Sequence, residues 1–235
     1  MSGSGPARVP PFPAPGVTAW SLRQRLGITR EQWSSTWGAL GVAEIGIALA
    51  LAAALGLVKL FVMPQGGSVS LEMLPLLFIA VRRGVVPAVV AGFLYGCLQA
   101  LLPGFFFVNP IQWALDYPLA FAALGLAGLV SVPWLGGAES RASRGSVKFT
   151  TRWWSPFTLL LVAAVATGVA GRFACHFLSG VIFFGSYAPE GQPVWLYSLI
   201  YNGSYILPEL VITTAALWFL LPAYDAALGP VRSHA

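Results

Sequence analysis

Charged residues are scarce in this sequence. Only 9% of its 235 residues are Asp, Glu, Lys or Arg, against 57% hydrophobic ones, whereas a soluble globular domain carries about 25% charged residues. A soluble chain this apolar would expose large adhesive patches, so lipid is the solvent for most of it. The net charge of +5 then speaks to membrane topology rather than to nucleic acid. Cysteine and histidine are equally rare, with two of each. Cys97 and Cys175 fall inside apolar runs, where they read as small membrane-helix residues rather than disulfide or metal ligands. One of the two histidines is the penultimate residue, His234, which leaves little for a metal site. No G-x-x-x-x-G-K-[ST] loop occurs, which excludes ATP binding of the P-loop type. G-x-S-x-G and H-E-x-x-H are missing too. Residues 1–30 lack the short apolar core and cleavage site of a secretory signal peptide.

The rest of the chain is a succession of apolar runs. Six transmembrane helices are expected, at about 38–62, 69–82, 84–102, 111–135, 155–180 and 198–222. The second is short and contains Pro75, and by length alone it reads equally as a re-entrant segment. Charge decides between the two. If it spans, Arg82, Arg83, the basic stretch 141–152 and both tails share the cytoplasmic side, and the three outer loops hold no Lys or Arg; otherwise the arginine pair and that stretch fall outside. The fold class is thus an all-α integral membrane protein, a six-helix bundle with both termini cytoplasmic. Residues 1–37 form a flexible N-terminal tail with an interfacial helix near Trp20–Trp37, 38–222 the membrane domain, and 223–235 a C-terminal tail.

Small residues mark close-packing faces. Gly46, Ala50 and Ala54 form one such stripe on the first helix, read either as internal packing or as a docking face for another membrane protein. Gly92 and Gly96 form one on the third helix, and Ala163 to Ser179 another on the fifth. No inverted repeat of two equal halves is visible, although complete secondary transporters usually have one.

Polar residues at membrane depth are costly, roughly 2.5–3.5 kcal/mol for an Asp at a helix centre on insertion scales, so each invites an explanation. Asp116 lies about one and a half turns into the fourth helix, beside Tyr117 and before Pro118; it faces either a protein interior or interfacial water. Arg172 and His176 lie one turn apart on the fifth helix. Tyr197, Tyr201 and Asn202 open the sixth, after a loop rich in Phe, Tyr and Trp that includes Phe184. Phe105, Phe106 and Phe107 crowd the preceding outer loop, as an interfacial belt or as a lid. Carboxylate, amide and aromatic faces together suit a flat, polar, cationic ligand. A Ser-His-Asp set can be drawn from Ser179 or Ser198 with His176 and Asp116, but no sequence signature supports it.

These residues sit in longer stretches that resemble a known family: SLEMLPLLFIAVRRG at 70–84, AGFLYG at 91–96, IQWALDYPLAFAALGLAGL at 111–129, HFLSGVIFFGSYAPEG at 176–191 and YSLIYNGSYILPE at 197–209. The chain resembles the ThiT (YuaJ) family, the thiamine-specific substrate-binding subunits of energy-coupling factor transporters. The resemblance implies a six-helix fold in the cell membrane that captures thiamine near the outer face, without cofactor or enzymatic activity. It implies site roles for Asp116, Tyr117, His176, Phe184, Tyr197 and Asn202. It also implies that Gly46, Ala50 and Ala54 dock a transmembrane coupling subunit, with two ATPase subunits supplying energy. Some members have Glu at the Asp116 position, Trp at Phe184, and a Trp where this chain has Gly66-Gly67; Phe106 is the residue to take the place of that last ring. The alternatives are a subunit for another vitamin or a thiamine precursor, and an intramembrane enzyme using Asp116 and His176.

Overall fold

The computed structural model describes residues 37–135 and 155–228. The chain divides into the units Met1–Val42 and Ala43–Ala235, and every contact described below lies in the second. Six helices carry the fold: α1 (Ala39–Leu57), α2 (Met73–Arg83), α3 (Val85–Leu98, prolonged by a 3-10 turn Gln99–Leu101), α4 (residues 110–135), α5 (Pro156–Phe183) and α6 (Val194–Leu228). The all-helical, six-helix architecture expected from the sequence is found. Of these, α1, α4, α5 and α6 are long and apolar enough to cross a membrane.

Helix α2 has 11 residues, about 16 Å at 1.5 Å per residue, half of the ~30 Å hydrocarbon layer. A small antiparallel hairpin makes up the difference: β1 (Phe61–Val62) and β2 (Ser68–Val69) pair Phe61 with Val69 and Val62 with Ser68. Non-helical backbone at such depth is stable where it is buried in protein or lines a cavity, and this hairpin lines one. Pro75 falls in the first turn of α2, where its missing N–H has no helical acceptor anyway. The helix is walled in on nearly all sides, with Met73, Leu76, Leu77 and Ala80 fully buried.

Several sequence-based boundaries move. The first helix ends at Leu57, five residues before the expected end, because the hairpin begins there. Lys59 therefore lies in a connection rather than inside a helix, at the end of the bundle expected to carry no basic residue. The fifth helix runs three residues further, to Phe183, and the sixth starts four residues earlier, at Val194, so that Tyr197 is helical and the loop between them shrinks. The sixth helix also continues to Leu228, six residues past its expected end. The expected roles of the N-terminal tail, the 136–152 loop and the last seven residues lie outside the described residues.

Capping follows the sequence. Asn109 accepts from the backbone N–H groups of Ile111 and Gln112, with Pro110 in the first turn of α4. Ser155 accepts from Thr158, with Pro156 in the first turn of α5. Both are the expected pairing of a polar cap with an early proline.

Helix α4 is regular only in pieces. After Pro110–Ala114 it widens into a π-turn, Leu115–Leu119, then resumes as Ala120–Ala123, tightens at Leu124–Leu126 and ends as Ala127–Leu135. Pro118 has no N–H to give, and the wide turn absorbs that loss. Helix α3 closes on this irregular stretch through Gly92 and Gly96, as the sequence stripe suggested. A β-carbon on Gly92 would meet the carbonyl of Phe121, and one on Gly96 would lie 2.5 Å from the backbone of Pro118. Bare glycine surface is what lets the two backbones meet.

Candidate ligand-binding site

The three connections at one end of the bundle converge on a cavity of about 80 Å³, room for several waters at the roughly 10–15 Å³ each needs. All seven ligand-site residues proposed from the sequence line it: Phe106, Asp116, Tyr117, His176, Phe184, Tyr197 and Asn202. Lining residues are contributed by the α1–α2 connection with its hairpin and Glu72 just before α2, by the α3–α4 and α5–α6 connections, and by helices α3 to α6.

Asp116 projects from the π-turn. Its Oδ2 accepts from Gln112 Nε2 at 2.7 Å and from Ser179 Oγ at 2.9 Å, and its Oδ1 lies 3.3 Å from His176 Nδ1. A carboxylate has about four acceptor positions, so one on Oδ1 is left for a ligand. The tautomer of His176 follows from its other neighbour. Arg172 Nε, which can only donate, points at His176 Nε2 at 3.3 Å. The ring proton therefore stays on Nδ1, facing Asp116.

Arg172 is held from below. It donates to Glu209 Oε2 at 3.1 Å and to Glu72 Oε1 at 3.3 Å, and its guanidinium stacks 4.6 Å above the Phe121 ring. Arg172 and Glu209 are almost wholly out of contact with solvent, at 4% and 0% exposure. Glu72 also accepts from Tyr95 Oη and Gln99 Nε2, each at 2.9 Å. Glu209 accepts from the backbone and hydroxyl of Ser70. Each buried charge thus has the partners it needs, the condition for keeping it in a low-dielectric interior.

Aromatic rings form the remaining walls. Tyr197, Tyr201 and Tyr205 recur every four residues along α6, with ring centroids 5.8 and 6.0 Å apart. Tyr205 also meets the His176 ring edge-on at 6.1 Å. On the opposite side Phe106 packs 6.0 Å from Phe184, and Tyr117 pins Phe106 by exchanging hydrogen bonds with its backbone. The hairpin closes over the rings. Gln65 N–H donates to Tyr201 Oη at 3.1 Å, and a β-carbon on Gly67 would lie 2.6 Å from the Tyr205 ring.

Asn202 is more committed than its type suggests. Its Nδ2 donates to the carbonyls of Ser198 and His176, and its Oδ1 accepts from Tyr205 Oη at 2.8 Å. It has one lone pair of Oδ1 to offer a ligand. Gly46, Ala50 and Ala54 are not part of this site; they face outward on α1, with nothing within 4 Å of where a β-carbon on Gly46 would stand.

Lys59, Gln65 and Glu72 line the cavity without having been picked out from the sequence, and Glu209 supports it from behind. A signal for the two glutamates was present: carboxylates inside apolar runs need a buried cation, and Arg172 lies in the middle of the fifth run.

The Ser-His-Asp order needed for a nucleophilic triad is not formed. Ser179 donates to Asp116, not to His176, whereas a triad places the imidazole between hydroxyl and carboxylate. Among the described residues no group of three or more His, Cys, Asp or Glu side chains is placed to hold a metal ion.

Fold and site together define a multi-pass, all-helical membrane protein with a polar, aromatic-walled cavity at one end of its bundle. Comparison with known proteins makes the assignment specific. A family model described as thiamine transporter protein (Thia_YuaJ) matches residues 42–228. The chain is 39% identical over 179 residues to the thiamine transporter ThiT of Bacillus subtilis (strain 168), covering 75% of this chain and 88% of that protein. It is 38% identical over 152 residues to the thiamine transporter ThiT of Lacticaseibacillus paracasei, covering 63% and 70%. A solved structure of ThiT from Listeria monocytogenes superposes with a TM-score of 0.64 at 28% identity, covering 78% of this chain and 94% of that one. The chain belongs to the thiamine transporter protein (Thia_YuaJ) family. Its place is the cell membrane, and its family's activity is transport rather than catalysis.

Proposed function

We propose that the cavity binds thiamine and that the protein is the substrate-capturing subunit of a larger, ATP-driven importer. The observation that carries this reading is the unfilled acceptor position of Asp116 in a cavity walled by Phe106, Phe184, Tyr197 and Tyr201. A carboxylate offsets a thiazolium charge, and aromatic faces attract a cation and stack on flat rings. The Nδ1–H of His176 helps to hold that carboxylate in place. Orientation follows from charge: Arg82 and Arg83 end α2 away from the cavity, and basic residues favour the cytoplasmic side, so the cavity faces outward.

The coupling partners belong to the same proposal. The chain carries no P-loop, and Gly46, Ala50 and Ala54 present a smooth, outward stripe on α1. That suits close approach by a transmembrane coupling subunit with two ATPase subunits behind it. The test of the ligand is a fluorescence titration of the purified chain in detergent. Trp113, next to Gln112, and Trp195, two residues before Tyr197, serve as reporters. Saturable quenching by thiamine, with none by riboflavin or biotin, is expected. A folded protein that fails to respond to thiamine overturns the ligand assignment.

A further inference from the structure

We infer that Gln112 is a positioning residue for ligand capture: it fixes the Asp116 carboxylate and the Phe106 ring relative to each other, so that charge pairing and ring stacking are gained together; this rests on the thiamine reading above. Gln112 is 1% exposed, although it stands in the first turn of α4 and lines the cavity. Its amide is not needed for capping, since Asn109 already accepts from the N–H groups of Ile111 and Gln112. The amide is spent on two other parts of the site. Nε2 donates to Asp116 Oδ2 at 2.7 Å and, more loosely, to the Phe106 carbonyl at 3.4 Å. Oε1 accepts from the Val108 N–H at 2.9 Å. The amide cannot turn over, because the Val108 N–H only donates and a carboxylate only accepts.

One side chain therefore joins the carboxylate to the backbone that carries Phe106. Tyr117, the residue after Asp116, holds the same backbone by exchanging hydrogen bonds with the N–H and carbonyl of Phe106. From the hairpin, a β-carbon on Gly66 would lie 3.1 Å from Phe106 Cβ, so there is little slack on that side. The ring held in this way stands 6.0 Å from Phe184. Ser179 and His176 meet the carboxylate from α5, and Gln112 adds the tie to the α3–α4 connection.

The sign of the effect separates placement from charge. An amide N–H lying against a carboxylate offsets part of its field, so removing it would by itself strengthen the attraction for a cation. The lone pair vacated on Oδ2 points toward position 112, not toward the open position on Oδ1, and gives the ligand no new partner. What is lost is preorganisation. Carboxylate and ring must then be ordered at the moment of binding, which lowers affinity.

The experiment titrates thiamine by calorimetry against the wild-type chain, Gln112→Met, Phe106→Ala and the double variant in detergent, with thermal unfolding followed in parallel. Gln112→Met is expected to stay folded and to bind thiamine more weakly by about tenfold or more, within the coupling range of residues that share one network. Phe106→Ala is expected to cost less affinity in that background than in the wild type. Gln112→Asn keeps a buried amide but is one methylene too short to span both partners, and it gives the same two results should the Met variant not fold. Wild-type or tighter affinity in a folded Gln112 variant overturns the inference and leaves the amide merely solvating a charge. Full multiplication of the Gln112 and Phe106 losses overturns it as well, since a residue acting on Asp116 alone, or on stability alone, does not change what the Phe106 ring contributes. If the folded wild-type chain does not bind thiamine, the thiamine reading has failed first.

Discussion

Arg172 Nε donates to His176 Nε2 at 3.3 Å, and through that bond a buried ion network sets the tautomer of a cavity-lining ring. The guanidinium is itself clamped by Glu72 and Glu209. Helices α2, α5 and α6 are thereby tied together directly beneath the ligand cavity.

Removing the cation should therefore damage the fold before it damages binding. Arg172→Met leaves two buried carboxylates facing each other without a counter-charge, a change that costs about 3–5 kcal/mol when a buried pair is broken. Thermal unfolding in detergent should show a large drop in midpoint, partly recovered in Arg172→Lys. An unchanged midpoint would show that the network contributes little.

Asp116→Asn should weaken thiamine binding by more than tenfold while the protein stays folded. Gln112 and Ser179 still find an acceptor in the amide oxygen, but the charge opposite the thiazolium is gone. Equal affinities for wild type and variant, measured by titration calorimetry, would take Asp116 out of the site.

Gly96→Ala probes the site from outside it. The added carbon meets the backbone of Pro118, which cannot swing away as a side chain tip can. Overpacking of this kind costs about 1–3 kcal/mol, and the shift falls on the turn that carries Asp116 and Tyr117. Both stability and affinity should fall. A variant with wild-type melting and wild-type affinity would mean that α3 simply moves aside.

Ala50→Trp tests the outward stripe. Uptake of labelled thiamine into cells should be lost while binding to the purified chain is retained. Loss of binding in the purified variant would instead make this stripe part of the internal packing.

The helix count and the polar cluster were legible because they rest on composition. Apolar runs define helices wherever lipid is the solvent, and Asp116 and His176 stand out against such a background. The hairpin at 61–69 was not legible. Phe61 and Val62 continue the apolar run of α1, and only pairing with Ser68 and Val69 makes them a strand. Lys59 was hidden by the same overrun. Glu72 and Glu209 were passed over because they lie 137 residues apart in the sequence, and only the packed helices bring both onto Arg172. The roles expected of Asn202 and Tyr117 shifted for a different reason: their hydrogen-bonding groups are spent largely on neighbours, which spacing along a sequence does not reveal.

The π-turn in α4 has a consequence for register. A wide turn holds one residue more than an α-turn, so the segment from Asn109 to Ala114 is rotated by about 100° relative to an uninterrupted helix of 3.6 residues per turn. Deleting Pro118 would take out both the extra residue and the missing N–H donor, and would let α4 wind as a regular helix while every cavity-lining side chain is kept. Gln112 and Asp116, four residues apart, would stay on one face, but both would swing away from Ser179 and His176 on α5, and the Asn109 cap, with the Phe105–Phe107 loop attached to it, would be carried around the helix axis. The wall of the cavity is in this sense set by counting, and one residue of length decides whether Asp116 faces α5.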